Sequence, residues 1–559
     1  TDGFMTEHME FADQLAGYVE SEHPEFLVNK LYYDAYKKDM TAGTYPDVRS
    51  GLQKLLKDGL LLFNYTGHGG TTALSDEKVL TQTDINQFTY THLPVWVTAT
   101  CDFTRFDDLN TSAGEDVFLN KSSGGIALFT TVRVAYSRPN FPINDNVIRN
   151  LFERNNGRRR TLGEVMQATK NTLSSVYKLG FCLIGDPAVK MAYPEFGMKV
   201  TTVNGQSVDG NSISFKALEK ITVEGEVLDA SGQLVTDFTG IVNPTVKDSK
   251  VTVTCLKNSN KDDSPAFTFT DYPNTIFIGN DSVRNGKFSF TFTVPKDISY
   301  SNLQGKMNLY AVDTESGNEA QGNFDNFIVG GTSDTAETDT IGPEIRALYL
   351  NDTTFVDGGQ VNTTPYFVAE LWDKSGVNIT GSSVGHDMML VIDESTVLSY
   401  NLNSYYELLP GEDGTGIVKF PIPALELGKH TAEFWVWDIL NNSTVRTFTF
   451  EVVEGLKPFL FDVIATPGIA REQVTFHLMH NRPESRMRVG IMVYDLAGRQ
   501  LWKHEESGTS GLFENYTVSW DLTSGGARMR PGVYIYRAAI STDNSKDATK
   551  ARKFIILGE

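Results

Sequence analysis

Two apolar runs of strand length break off at chemically capable side chains. Leu60-Leu61-Leu62-Phe63 leads through Asn64-Tyr65-Thr66 into Gly67-His68-Gly69-Gly70, and Pro94-Val95-Trp96-Val97 leads through Thr98-Ala99-Thr100 to Cys101-Asp102. Near-continuous apolar runs bounded by glycine or polar residues read as strands of a parallel sheet covered on both faces. Such sheets present functional side chains at their carboxyl edge. A right-handed crossover through residues 71–93 makes the two strands neighbours and sets His68 and Cys101 within reach of each other above the sheet.

The same patterning divides the chain. Helical stretches are expected over 7–22, 45–58 and 142–155, with a further one opening at Thr161, where Thr161-x-x-Glu164 is a capping box and Gly180 a stop. From about Phe196 the helical period gives way to short alternating runs such as Ile221-Thr222-Val223-Glu224-Gly225-Glu226-Val227, separated by Gly, Asn and Asp. That is the pattern of β-sandwiches. Gly330 to Asp339 is a linker candidate, and Ile341-Gly342-Pro343-Glu344-Ile345 opens a second β region. The expected organisation is multidomain: an α/β part over 1–195, then all-β sandwich domains over 196–333, 341–455 and 456–559.

Composition narrows the function classes. A net charge of −21 argues against nucleic-acid binding and for an exposed, soluble surface. The one basic run, Arg158-Arg159-Arg160, reads as a solvated loop. No apolar run is long enough for a transmembrane helix. Three cysteines are too few for a disulfide framework. The chain opens Thr1-Asp2-Gly3, without a Met start or signal peptide, and is expected to be the carboxyl part of a longer or processed polypeptide. An upstream segment would then complete the sheet beside the His68 strand.

The candidate chemistry is a thiol next to an imidazole, a nucleophile with its base. Cys182 and Cys255 sit inside strand-like runs and read as small buried hydrophobes. Cys101 ends its strand, with Asp102, Arg105, Asp107, Asp108 and Asn110 following at once. Glycines on both sides of His68 free the backbone for close approach. Asp102 reads as a strand-end surface residue. Gly385-His386-Asp387, with Asp373, Asp393 and His430, offers a metal reading beside a reading as turn residues, but lacks ligand pairs at zinc-site spacing. Calcium sites in the Asp- and Asn-rich loops have no EF-hand spacing to fix them.

An apolar strand ending in His-Gly, followed by one ending in Cys, resembles the caspase-like cysteine peptidases. Asn64-Tyr65-Thr66-Gly67-His68-Gly69 is similar to the gingipain family in particular. Gly124-Gly125-Ile126-Ala127-Leu128-Phe129-Thr130-Thr131-Val132-Arg133 resembles that family's next strand, and Ile184-Gly185-Asp186-Pro187 its closing turn. The resemblance implies Cys101 as nucleophile, His68 as general base and acid, and the N–H groups of Gly69 and Cys101 as oxyanion hole. It also implies an upstream carboxylate orienting the imidazole, for which Asp2, Glu7, Glu10 and Asp13 are available. The family's Arg- or Lys-reading pocket acid has no counterpart position here, so trypsin-like specificity is not implied. The family allows a structural calcium ion without fixing its ligands, and no cofactor is required.

Asp462-Val463-Ile464-Ala465-Thr466-Pro467, Val493-Tyr494-Asp495-Leu496-Ala497-Gly498-Arg499, Pro531-Gly532-Val533-Tyr534-Ile535-Tyr536-Arg537 and Ala551-Arg552-Lys553-Phe554-Ile555-Ile556-Leu557 resemble the C-terminal sorting domain of type IX secretion cargo. Its last strand, almost at the chain end, is expected to be placed for edge pairing. Together the two resemblances imply a bacterial cell-surface sortase associated with the outer membrane. It would remove sorting domains from cargo proteins, join the cargo to anionic lipopolysaccharide, and dock through residues 456–559 on an outer-membrane β-barrel shuttle. A gingipain-like enzyme that only hydrolyses, and an inactive binding scaffold, are the alternatives.

Overall fold

The computed structural model describes residues 6–557, apart from 89, 91, 121–122, 156, 259–264, 334–338, 382–384, 410–413, 513 and 543. Its first part is a three-layer α/β unit. Four strands, β1 (Leu62–Thr66), β2 (Val95–Ala99), β3 (Ala127–Thr131) and β4 (Phe181–Ile184), stand in the order β1-β2-β3-β4. The first three are parallel, and β4 returns antiparallel beside β3. Every residue of β2 and β3 is buried, as their unbroken apolar character demands.

Alternate residues of these strands feed two cores. Val95, Val97, Ala127 and Phe129 pack with Leu15 and Val19 of α1 (Glu7–Glu22) on one face. Trp96 and Leu128 pack with Val48, Leu52 and Leu56 of α2 (Pro46–Asp58) on the other. Two short helices absent from the expectation, α3 (Gln82–Gln87) and α4 (Ala113–Leu119), lie on the crossovers. Each is opened by a capping box, Thr81 with Asp84 and Ser112 with Glu115. They are too short to show a 3.6-residue period.

Helix α5 (Ser137–Phe152) begins earlier than expected and runs through Pro142. Proline there costs one intrahelical hydrogen bond, and buried Ile143, Val147, Ile148 and Leu151 offset it. Helix α6 (Leu162–Thr172) has the expected capping box between Thr161 and Glu164, but it ends at Thr172. Gly180 closes a separate 3-10 turn, Val176–Gly180. The arginine run is more engaged than a solvated loop. Arg158 pairs with Glu164, and Arg159 lies over the Tyr193 ring and donates to the Phe152 carbonyl.

Phe196–Val203 opens the β part. The main sheet of residues 196–333 closes on itself, because Phe196 and Gly197 pair with Ala320 and Gln321. It is therefore more barrel-like than an open sandwich. A hairpin of this domain packs on the α/β unit, burying Cys255 and Phe269 against Tyr32. The Asp34 carboxylate there accepts from the Lys257 and Asn258 N–H groups.

Residues 344–452 form a sandwich of a four-stranded and a five-stranded sheet, and residues 460–556 one of three and five strands. The terminal strand Ala548–Ile556 pairs along its length with Gly532–Ser541 on one side, and on the other only Ile555 and Ile556 pair, with Ile469–Ala470. Residues 548–554 therefore have no partner strand on their outer side among the described residues, and Gln500–Gly508 forms the opposite edge of that sheet.

Candidate active site

The parallel register sets the site. Thr66 of β1 stands opposite Ala99 of β2. His68 and Cys101 each follow two residues later, on adjacent strands at the same carboxyl edge. Their loops touch. A Cβ on Gly69 would overlap the Thr100 hydroxyl oxygen and stand 3.2 Å from the Thr100 Cγ2. Gly69 is therefore bare because Thr100, the residue before Cys101, occupies the space that its side chain would need.

Backbone clamps hold both loops. The Tyr65 hydroxyl, from a residue only 9% exposed, donates to the His68 carbonyl at 2.6 Å, and the Ser75 N–H donates to the same oxygen at 2.8 Å. Gly67 leaves room for that tyrosine, since a Cβ there would stand 2.6 Å from its oxygen. On the other side Asp102 takes a left-handed φ of 49° and donates its N–H to the Arg133 carbonyl, which turns the chain sharply after Cys101.

The half-buried Cys101 thiol donates to the Ala135 carbonyl at 3.1 Å and accepts from the Ala135 N–H at 3.4 Å. The Cys101 N–H makes no hydrogen bond with any described residue, so it is available to an oxyanion. His68 is exposed, and its ring lies edge-on to the ring of His8, with centroids 5.2 Å apart and planes crossing at 76°. His8 was not anticipated, for nothing in its spacing marks it.

The carboxylates considered for orienting His68 have other partners. Glu7 accepts from Ser137 and Arg138, and the Arg138 guanidinium holds its carboxyl below the usual range. Glu10 accepts from the Thr6 hydroxyl, and Asp13 pairs with Lys30 and Tyr32. Asp2 lies outside the described residues.

A cavity of about 440 Å³ opens at His68. It runs along β1 to Leu60, bounded by α1 on one side and α2 on the other. Among the described residues β1 is the last strand of the sheet, so its outer backbone groups face this cavity.

Of the other cysteines, Cys255 is buried, and burial pushes its thiol up to about 11. Cys182 is less enclosed than expected, being half-buried on the edge strand β4. The suggested metal grouping is not assembled. His386 pairs with Asp297 and His430 with Asp393, each at 2.7 Å, while Asp387 accepts from Asn403. Asp339, Asp373 and Asp438 instead bring one carboxylate oxygen each within 4.8 Å of the others. Nothing besides these acids points to an ion there.

Residues 1–192 match the model of peptidase family C25. Dimeric latent PorU from Porphyromonas gingivalis is 36% identical, with 78% of this chain and 41% of that one covered and a TM-score of 0.33. The Arg-specific cysteine proteinase gingipain R is 19% identical, with 50% and 56% covered and a TM-score of 0.25. This chain thus spans less than half the length of the first and little more than half that of the second. No curated protein matches it.

Proposed function

We propose, from the premise that residues 1–192 are a gingipain-like region of peptidase family C25, that this chain is a cell-surface cysteine peptidase working as a sortase. The observation that carries the peptidase reading is the register that brings His68 and Cys101 to one carboxyl edge, two residues beyond the paired Thr66 and Ala99.

The chemistry follows from the residues in place. Cys101 passes its proton to His68 and attacks a cargo carbonyl as thiolate. The resulting oxyanion takes the free Cys101 N–H and that of Gly69, and the His68 imidazolium then protonates the leaving amine. Before attack the thiol must exchange the Ala135 carbonyl for His68, while the Ala135 N–H can stay with the thiolate. A thioester at Cys101 remains. In the sortase reading an amine on anionic lipopolysaccharide attacks it, His68 takes the amine's proton, and the cargo leaves as an amide.

The cargo is taken to carry a C-terminal sorting domain. Residues 456–559 would dock on an outer-membrane β-barrel shuttle, with the outer side of the last strand over 548–554 free to pair. An upstream peptidase segment is the partner suited to the outer edge of β1, where a strand would satisfy backbone groups beside an apolar cavity. A structural calcium ion belongs to this reading as a stabilising ligand without an assigned site, and no step uses it. Among the described residues no helix is long and apolar enough to cross a membrane.

The test is intact-mass analysis of a cargo ending in a sorting domain, incubated with the protein with and without an amine. An amide product supports the sortase. A free carboxylate under both conditions leaves a hydrolase, and no cleavage removes the peptidase reading.

A further inference from the structure

A general base must hold its ring direction to within about 10–20° of the productive geometry. His68 is exposed, and its neighbours Gly67, Gly69 and Gly70 carry no side chains with which to brace it. Its ring meets the half-buried imidazole of His8 in a T-shaped contact.

His8 is held more firmly than its place near a helix start would suggest. It lies in the first turn of α1, and that turn is tied to the start of α5 at two points. The Glu7 carboxylate accepts from the Ser137 hydroxyl at 2.9 Å and from Arg138 Nε at 2.7 Å. One turn on, Phe11 stacks on Phe141 with ring centroids 4.3 Å apart. Further along, Leu15 and Val19 are buried in the core beneath the sheet. Helix α5 begins only two residues after Ala135, whose N–H and C=O meet the Cys101 thiol. One continuous set of contacts therefore leads from the nucleophile through Ala135, Ser137 and Arg138, Glu7 and His8 to the base.

We propose that His8 is a positioning residue for His68: its ring, crossing that of His68 at 76°, limits rotation of the His68 imidazole, and Glu7 fixes His8 to the same helix start that seats Ala135 beside Cys101. This rests on the peptidase reading given above. The relative placement of nucleophile and base then depends on α1 as well as on the sheet register.

Other charged groups are carried by the surrounding elements. Helix α1 has Glu7 and Glu10, α5 has Arg138, the loop after Cys101 has Asp102, Arg105, Asp107 and Asp108, and the segment after β3 has Arg133. Glu7 is paired with Arg138, Asp107 with Arg133, and Asp108 with Arg105, while Glu10 is bonded to Thr6.

The test uses the full chain with His8→Ala, His8→Phe and Glu7→Gln. Two readouts are taken: the pH dependence of iodoacetamide alkylation at Cys101, followed by peptide mass, and kcat and KM on a sorting-domain cargo. His8→Ala should lower kcat about tenfold with KM within about twofold. Its pH profile of Cys101 alkylation should shift with it. His8→Phe keeps a ring edge without a titrating nitrogen and should recover most of both, and Glu7→Gln should shift both less than His8→Ala and in the same direction. A His8→Ala protein with unchanged kcat and midpoint overturns the proposal, as does a His8→Phe protein as impaired as His8→Ala. If the unsubstituted chain cleaves no cargo the peptidase reading fails by itself, and the alkylation midpoint still decides the role of His8.

Discussion

Gly69→Ala should disable the site by moving it apart, and the size of the effect can be worked from the contact it would create. The new Cβ would overlap the Thr100 hydroxyl oxygen, with Cγ2 at 3.2 Å and Cβ at 3.3 Å behind it. Thr100 is 2% exposed, so it cannot swing away into solvent. Carbon atoms sit comfortably at about 3.5–4.0 Å, so relief requires the 67–70 loop and the Thr100–Cys101 turn to part by about 1 Å. That opening parts the loops that carry His68 and Cys101, and in the peptidase reading a misplacement of about 1 Å costs about a hundredfold in rate. Overpacking should cost about 1–3 kcal/mol of stability as well.

The compensating change separates this account from a general intolerance at position 69. Thr100→Ala removes the two nearest atoms, the hydroxyl and Cγ2, and keeps the Cβ contact at 3.3 Å, which a shift of a few tenths of an ångström relieves. In Gly69→Ala/Thr100→Ala most of the lost rate should return, giving a coupling of about 2 kcal/mol in a double-mutant cycle. The assays are cargo cleavage and the rate of Cys101 alkylation at neutral pH. If Gly69→Ala stays within about threefold of the unsubstituted chain, or the double variant is no better than Gly69→Ala, the steric argument is refuted.

Alkylation should rank the cysteines, with Cys101 first, half-buried Cys182 next and Cys255 last, since burial both hides that thiol and pushes it up to about 11; peptide mapping after limited iodoacetamide treatment checks the order, and equal rates would mean that Cys101 is not activated. Asp373→Asn should stabilise its domain at pH 8 but not at pH 4. Burial, with Asp438 and Asp339 nearby, pushes the Asp373 carboxyl up to about 6, so the folded state holds the proton more tightly than the unfolded chain. The stability this gives is full below about pH 4 and lost as pH rises through about 6, up to about 3 kcal/mol for two units, and Asn keeps the hydrogen bonds from Ser375 and Gly376. Thermal melts at the two pH values decide it, an equal effect at both counting against the argument. A small primary amine added to cleaving enzyme should divert product to the amide in proportion to its unprotonated fraction; product that ignores amine concentration leaves only the hydrolase.

What could be read in the sequence was whatever local patterning determines. The strands β2 and β3 are apolar enough throughout to be buried on both faces, and the helices α1 and α2 are long enough to show an apolar face. Helices α3 and α4 were hidden because six or seven residues make too few turns for a period, although their capping boxes were there to be seen. The start of α5 was masked by Pro139 and Pro142, which read as stops until the burial of the helix's other face is known. Closure of the first β domain depends on two pairs between its first strand and a strand far along the chain, which no local pattern records.

The site divides along the same line. His68 and Cys101 were legible because a sheet edge converts sequence position into spatial position: two strands in known register carry whatever follows them to the same height. The groups around them come from outside the sheet, where no such conversion exists. Glu7, Glu10 and Asp13 looked equivalent as acids on one helix, yet α1 sends Glu7 to Ser137 and Arg138 and Asp13 to Lys30, and turns His8 toward His68. Which of four neighbouring polar residues meets the His68 ring is fixed by the rotation of that helix about its axis. That rotation is set in turn by Leu15, Val19 and the Phe11–Phe141 stack, so the contact of His8 with His68 depends on apolar contacts one to three turns along α1.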